Sequence, residues 1–520
     1  MRLLMYFFII FHFYFLHAQK IDKAFQVGYQ SINVADLKSH LTILTSDSLE
    51  GRETSYPGQK KAANYIAGIF KKLNLKAIGD GGTYFQHFNV EITKVNPETK
   101  IVTEIDGKKK IFKWGTDFIS SEIKDTLVSG HSVFVGFTDT ELDSSTRAKL
   151  AGKVIFVLIG KKSYANDTSK AATLRRLKAL RRDAGTMATF VIPDNEGPAT
   201  FQMAKQLLSD LNWDKGTMQL EDCVQPERQQ FLHFLVSLEL AGEALKPSGI
   251  SLKQVRDLAL QDQQFTPIFI DNATVTIDAR CIHEIKQTEN VLGLLPGSDL
   301  NLQSQTIAFT AHYDHLGISS DGILYPGADD DGSGVAAILE LAEAFATNSI
   351  KPKRSMLFIT FVGEEKGLLG SQYYVKNPII NLSQTIADLN MDMIGRMDTI
   401  HEAAKDTNYI YAIGSDRISS ELDSLLRLTN RETEQITLDY KYNDEYDPER
   451  YYYRSDHYNF AKNGIPIIFF FDGTHADYHK QTDTIDKIIF ERIAKVVRLI
   501  YNLGWKLSNL EQPLSRQHSE

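Results

Sequence analysis

An α/β fold is predicted: a mixed, mostly parallel central sheet with helices on both faces, interrupted by a smaller inserted domain. Three observations lead there. From about residue 274 onward, apolar runs recur at Val291 to Leu295, Ile307 to Ala311, Met356 to Val362, Ile386 to Met393 and Ile465 to Phe471. Strands buried on both faces read as continuous runs of this kind. Second, the helical stretch GVAAILELAEAFA, with Gly332 or Ser333 near its start, separates the second run from the third. Alternation of strand and helix builds a mostly parallel sheet covered on both sides. Third, residues 99–272 have a different texture, with short apolar runs Val154 to Leu158 and Ala188 to Ile192 flanking a basic helical stretch that ends at Gly185. That segment reads as a separate α/β or β-rich insert.

In chain order, Leu3 to Leu16 is almost wholly apolar behind a Met-Arg start, and it ends at His17-Ala18-Gln19. This is the pattern of a signal peptide over residues 1–18, shorter than the ~20 residues of a membrane span. A secreted or periplasmic protein is therefore expected. Residues 36–76 look helical, with Ala62, Ala63, Ile66, Ile69, Phe70 and Leu73 on one stripe. Residues 19–98 open the main domain, 99–272 form the insert, 273–510 complete the main domain, and 511–520 make a polar tail.

Composition narrows the function classes. The 520 residues are 42% apolar and 24% charged, which suits a sizeable core. With 57 Lys+Arg against 66 Asp+Glu the net charge is −9, and nothing argues for a nucleic-acid partner. Arg175, Arg176, Lys178, Arg181 and Arg182 interleave with Leu174, Leu177 and Leu180 at helical spacing and read as a solvated helix face. No later segment is long and apolar enough to span a membrane, so no stable membrane association is expected. The cysteines are Cys223 and Cys281, which could pair or remain free thiols. Two are too few for a Cys-based zinc cluster, so a metal would draw on His and carboxylates.

Parallel sheets bind ligands beyond the carboxyl ends of their strands, so chemistry should follow each apolar run. It does. After Ile307 to Ala311 come His312, Asp314 and His315, and beyond a loop Asp329, Asp330 and Asp331 lead into the helix. Glu364 and Glu365 follow the Met356 run, Asp392 sits near the end of the Ile386 run, and Asp472, His475 and His479 follow the Ile465 run. Each piece alone has a bland explanation: a core histidine, a solvated glutamate pair, an acidic loop. Their joint recurrence at one sheet edge does not. A calcium loop fails on spacing, because its alternating oxygen ligands are missing. Zinc takes imidazole and carboxylate ligands, and two metals roughly 3.5–4 Å apart can share one carboxylate. Asp314 lies two residues from His312, on the same side of an extended chain, and could fix the imidazole tautomer.

The segments AHYDHLG (311–317), PGADDDGSG (326–334), VGEEKGLLGSQ (362–372), NMDMIGR (390–396), RSDHYNFAKNGIP (454–466) and DYHKQTDTIDK (477–487) resemble the co-catalytic di-zinc aminopeptidases, whose relatives include glutamate carboxypeptidase II, the transferrin receptor and the glutaminyl cyclases. Residues 44–76 also resemble the opening of this family. The resemblance implies a zinc exopeptidase fold and two Zn2+ per chain. It implies that His312 and Asp392 hold one ion, that Glu365 and His479 hold the other, and that Asp330 bridges them ahead of a cis Asp330–Asp331 peptide. It gives Glu364 the role of general base and acid, and Tyr452 that of a hydrogen-bond donor to the developing oxyanion; a loop packed by Tyr451, Tyr452 and Tyr453 is the alternative. The segment GKVIFVLIGKK (152–162) and the AGTMATFVIP stretch (184–193) are similar to a protease-associated domain. The implied activity is removal of N-terminal residues from peptides. A carboxypeptidase or dipeptidase of the same fold, a single-zinc glutaminyl cyclase and a non-catalytic receptor are the alternatives.

Overall fold

The computed structural model describes residues 25–120, 123–137, 142–158, 185–193, 201, 215–222, 233–261 and 265–517. The expected signal peptide, the basic stretch at 174–182 and Cys223 lie outside these residues. The chain divides into two compact units, Met1–Val90 with Lys286–Glu520, and Glu91–Ile285.

In the first unit, α1 (Val34–Leu44) and α2 (Pro57–Lys72) precede β1 (Phe85–Val95). The chain returns along β2 (Cys281–Leu295) and continues through β3 (Thr306–His312), α3 (Gly334–Thr347), β4 (Ser355–Phe361), α4 (Leu369–Lys376), β5 (Thr385–Met391), β6 (Tyr409–Ile413), α5 (Ser420–Glu432), β7 (Thr437–Asp439), β8 (Ile467–Phe471) and α6 (Phe490–Asn509). The strands lie in the order β7–β6–β8–β5–β3–β4–β2–β1. Strands β4, β3, β5 and β8 run parallel, whereas β2 meets β4 and β6 meets β8 antiparallel. The sheet is mixed with a parallel centre. Successive side chains of a strand point to opposite faces, and β4 shows what each face buries. Phe358 packs with Phe309 of β3 and Phe345 of α3. Its odd-numbered neighbours Leu357, Ile359 and Phe361 join Tyr374 of α4 and Phe460 in a second cluster. Helices therefore cover both faces, which is why β3, β4 and β5 are wholly buried, continuous apolar runs.

The expected helix over 36–76 is broken. Asn33 caps α1 by accepting the Asp36 amide hydrogen, and Pro57 starts α2 at the position where its missing N–H costs nothing. Between them Glu50, Gly51 and Arg52 all have positive φ, so no helix can run through. The break delivers Arg52 and Thr54 to the site described below.

Helix α3 carries one buried carboxylate outside that site. Glu340 is 2% exposed and accepts the Asn33 amide hydrogen at 3.2 Å. Burial, with Asp36 and Glu343 nearby, pushes its carboxyl up to about 8 from an ordinary 4.5. The folded chain then holds a proton that the unfolded chain releases near 4.5, so this group's contribution to stability falls as pH rises from about 4.5 towards 8. Glu340→Gln does not titrate. Thermal unfolding of both proteins across this interval should show the variant gaining on the parent as pH rises; a constant difference would refute it.

Among the described residues, the second unit holds an eight-stranded sheet. Thr126–Phe137, Val154–Leu158, Ala188–Ile192 and His233–Val236 run parallel at its centre. Two of these strands are the apolar runs read from the sequence. Phe134, Phe156, Phe190 and Phe234 meet ring to ring across the four strands, with centroids 5.4, 5.0 and 5.5 Å apart, a spacing favourable for aromatic pairs.

Candidate metal centre

Because β3, β4, β5 and β8 run in one direction, their carboxyl ends share one edge of the sheet. His312 ends β3, Glu364 and Glu365 follow β4, Asp392 follows β5, and His475 and His479 follow β8. The loop before α3 adds Asp329, Asp330 and Asp331, all buried. The Asp330–Asp331 peptide is cis.

The three aspartates separate by their partners. Asp331 accepts amide hydrogens from His312 at 3.1 Å, Gly334 at 2.8 Å and Met393 at 3.2 Å, tying β3, α3 and the turn after β5 together. Asp329 accepts from the Gly395 amide at 2.7 Å and stands 3.4 Å from His475 Nε2. Asp330 accepts no amide hydrogen. Its Oδ1 lies 3.3 Å from His312 Nε2 and its Oδ2 lies 3.2 Å from His479 Nε2. Around it, His312 Nε2 is 3.5 Å from Asp392 Oδ1, and His479 Nε2 is 3.2 Å from Glu365 Oε2. Donors around a tetrahedral zinc with bonds of about 2.0–2.1 Å are themselves about 3.3 Å apart. His312 Nε2 and Asp330 Oδ2, both buried, have no hydrogen-bond partner, and a buried polar atom left so demands an explanation. Imidazole and carboxylate donors fit zinc.

The site also departs from the expected details. His312 Nδ1 lies 3.1 Å from the backbone oxygen of Asp314, while the Asp314 carboxylate stands off at 3.7 Å. That carboxylate instead accepts from Thr54 Oγ1 at 2.7 Å and from the Glu364 amide at 3.2 Å. It holds the Glu364 loop, and the backbone fixes the imidazole. His315, grouped with Asp330 and Glu365, has its Nδ1 2.8 Å from Glu365 Oε1 and can orient that carboxylate. Tyr452 packs its ring against Arg417, with the guanidinium 4.0 Å from the centroid, and against Tyr453 and Tyr458. It is absent from the cavity wall, where Tyr451 and Tyr478 stand with Met393, Phe469 and Phe471 above Asp330, Glu364 and Asp392. In a run of three tyrosines, the short helical turn Tyr451–Tyr453 decides which one faces the cavity.

Glu364 and Glu365 occupy opposite environments. Burial, together with Asp392, Glu365 and Asp456, holds Glu364 well above the usual carboxylate range. Glu365 is buried too, but His479 and His315 outweigh the burial and hold it well below that range. Neighbouring carboxyls pushed apart in this way suit different tasks.

Arg52 escaped the sequence reading of individual roles. It is 0% exposed, and its guanidinium donates to the carbonyl oxygens of Tyr313, Leu44, Pro326 and Gly327 at 2.7–2.9 Å. It pins the segment before α2 to both metal-centre loops and faces the charges of Asp330, Asp331 and Asp314. Gly327 has φ +56°, and a Cβ there would sit 2.5 Å from the His315 ring, so only glycine admits this approach. Arg52→Met should destabilise the protein by about 3–5 kcal/mol, since it strands buried acceptors and uncompensated buried charge. Denaturant unfolding measures this, and a loss under about 1 kcal/mol would contradict the bracing role.

Fold and site define an α/β protein with a candidate His–carboxylate metal centre at the carboxyl edge of its sheet. Residues 290–504, which carry His312, Asp330, Glu365, Asp392 and His479, match the sequence profile of Peptidase family M28. The chain is 47% identical over 91 residues to a probable zinc metalloprotease from Pyrenophora tritici-repentis, covering 16% of this chain and 19% of that protein. It is 26% identical over 227 residues to a probable leucine aminopeptidase from Arthroderma benhamiae, covering 42% of this chain and 57% of that protein. The match thus spans less than two thirds of either relative. The fold is similar to that of an aminopeptidase from Aneurinibacillus sp. strain AM-1, with a TM-score of 0.54 and 18% identity over 95% of this chain and 97% of that one. No helix among the described residues is long and apolar enough to cross a membrane.

Proposed function

We propose that this chain is a secreted or periplasmic di-zinc aminopeptidase, with His312 and Asp392 holding one ion, Glu365 and His479 the other, and Asp330 shared between them. One observation carries the reading: the two carboxylate oxygens of Asp330 face two different histidines, at 3.3 and 3.2 Å. Zinc, when bound, would acidify a water and polarise the scissile carbonyl. Glu364, over the cavity floor and 3.8 Å from His312 Nε2, accepts the proton of the attacking water and returns it to the leaving amine. Tyr478, beside His479, is kept protonated first by its burial and then by Asp330 and Glu365, and offers its hydroxyl hydrogen to the developing oxyanion. Met393, Phe469 and Phe471 accept an apolar side chain next to the cut bond. We read residues 99–272 as a protease-associated-like insert and residues 1–18 as the export signal.

A second reading, a carboxypeptidase or dipeptidase, is favoured by Arg454. Its guanidinium lines the same cavity and could receive a substrate carboxylate. Aminoacyl-nitroanilides, an N-acetylated copy of the best one, and N-blocked dipeptides separate the two readings, with metal content measured in parallel. Cleavage abolished by the acetyl group and by chelation supports the aminopeptidase. Cleavage of N-blocked dipeptides alone transfers the assignment to the second reading, and metal-free, inactive protein overturns both.

A further inference from the structure

We infer that the unit Glu91–Ile285 carries a metal site of its own, in which Asp125, Cys281 and His283 bind a zinc-type dication. Cys281 and His283 are two residues apart in β2, so their side chains leave the same face of the strand. Asp125 directly precedes the strand Thr126–Phe137, and the pairing of Thr126 with Ala279 brings it beside the start of β2. The donor atoms of the three side chains lie within 4.8 Å of one another.

The surroundings hold Asp125 and His283 in place. The Cys281 amide donates to Asp125 Oδ1 at 2.8 Å, leaving Oδ2 to face His283 Nε2 at 3.1 Å. This separation is close to the ~3.3 Å between two donors on one tetrahedral zinc. On the other side of the ring, His283 Nδ1 lies 2.8 Å from Glu91 Oε1, and Gln219 holds the second Glu91 oxygen at 2.7 Å. A carboxylate on the far nitrogen fixes the tautomer that presents Nε2 to a metal. Thiolate, imidazole and carboxylate suit zinc or cobalt rather than calcium or magnesium. His283 and Asp125 are 46% and 61% exposed along their side chains, so a cation reaches them from solvent and a water completes the fourth position. Binding requires Cys281 to release its proton, which a metal exchanges for the bond to sulfur.

The test uses the full chain under reducing conditions, titrated with Co(II) in place of zinc. None of the donors at the β3–β8 edge is sulfur, so a sulfur-to-cobalt charge-transfer band in the near ultraviolet reports this site alone. The band should appear in the parent protein, survive Cys223→Ser and vanish in Cys281→Ser, with the bound metal falling by one equivalent and the melting profile of the metal-free protein unchanged. Glu91→Gln, acting through His283, should weaken cobalt binding by about 10–100-fold and leave the band's shape intact. A parent protein without the band, or a band that persists in Cys281→Ser, overturns the proposal.

Discussion

Glu364→Gln is expected to keep its zinc and lose turnover by about two to four orders of magnitude, equivalent to about 3–5 kcal/mol of transition-state stabilisation. The substitution preserves volume and one oxygen but removes the group that can take a proton. The side chain is not among the closest donors around Asp330, so metal content should not change. Its position is held independently of its charge, because the Glu364 amide is anchored by Asp314 at 3.2 Å. The measurement is kcat on the best nitroanilide beside zinc content by mass spectrometry. Comparable turnover in the variant removes Glu364 from the mechanism. A fall in zinc together with activity makes it a ligand instead.

Asp330→Ala should abolish activity by removing a metal pair rather than a proton carrier. Asp330 is the one carboxylate whose two oxygens serve both histidines, so its loss leaves His312 with Asp392 and His479 with Glu365, two donors apiece. Neither remnant reaches the three protein ligands of a typical catalytic zinc. Zinc should fall by about two equivalents relative to the parent, and chelation should shift the melting temperature of the variant less than that of the parent, because a ligand that binds only the native state stabilises it in proportion to occupancy. Asp330→Asn keeps the volume and should behave in the same way. Full zinc content with full activity in either variant would exclude Asp330 as the shared donor.

The elements carrying the site were legible wherever hydrophobic burial alone dictates the pattern. Strands β3, β4 and β5 are buried on both faces, and the apolar runs predicted them to within a residue or two. Strand β6, Tyr409–Ile413, is a short aromatic-rich run at the antiparallel side of the sheet and went unread, as did β1, where buried and partly exposed residues alternate. The break between α1 and α2 was missed because apolar periodicity does not register backbone handedness. The positive φ values at Glu50, Gly51 and Arg52 are imposed by what Arg52 grips, four carbonyl oxygens, two of them more than 270 residues away in the chain.

Residue chemistry and strand order together determined, from the sequence by itself, that imidazoles and carboxylates gather at the carboxyl edge of a parallel sheet. A side chain just beyond a parallel strand lies at that edge, and those donor types suit zinc where they converge. Which donors face one another was decided only in three dimensions. Asp331 spends its oxygens on three amides and Asp330 spends none; Tyr478 and Tyr451 reach the cavity while Tyr452 packs against Arg417; His312 is fixed by a backbone oxygen in place of the Asp314 carboxylate. Each of these choices turns on loop dihedral angles and on hydrogen bonds between distant segments, and residue spacing along the chain carries no record of either.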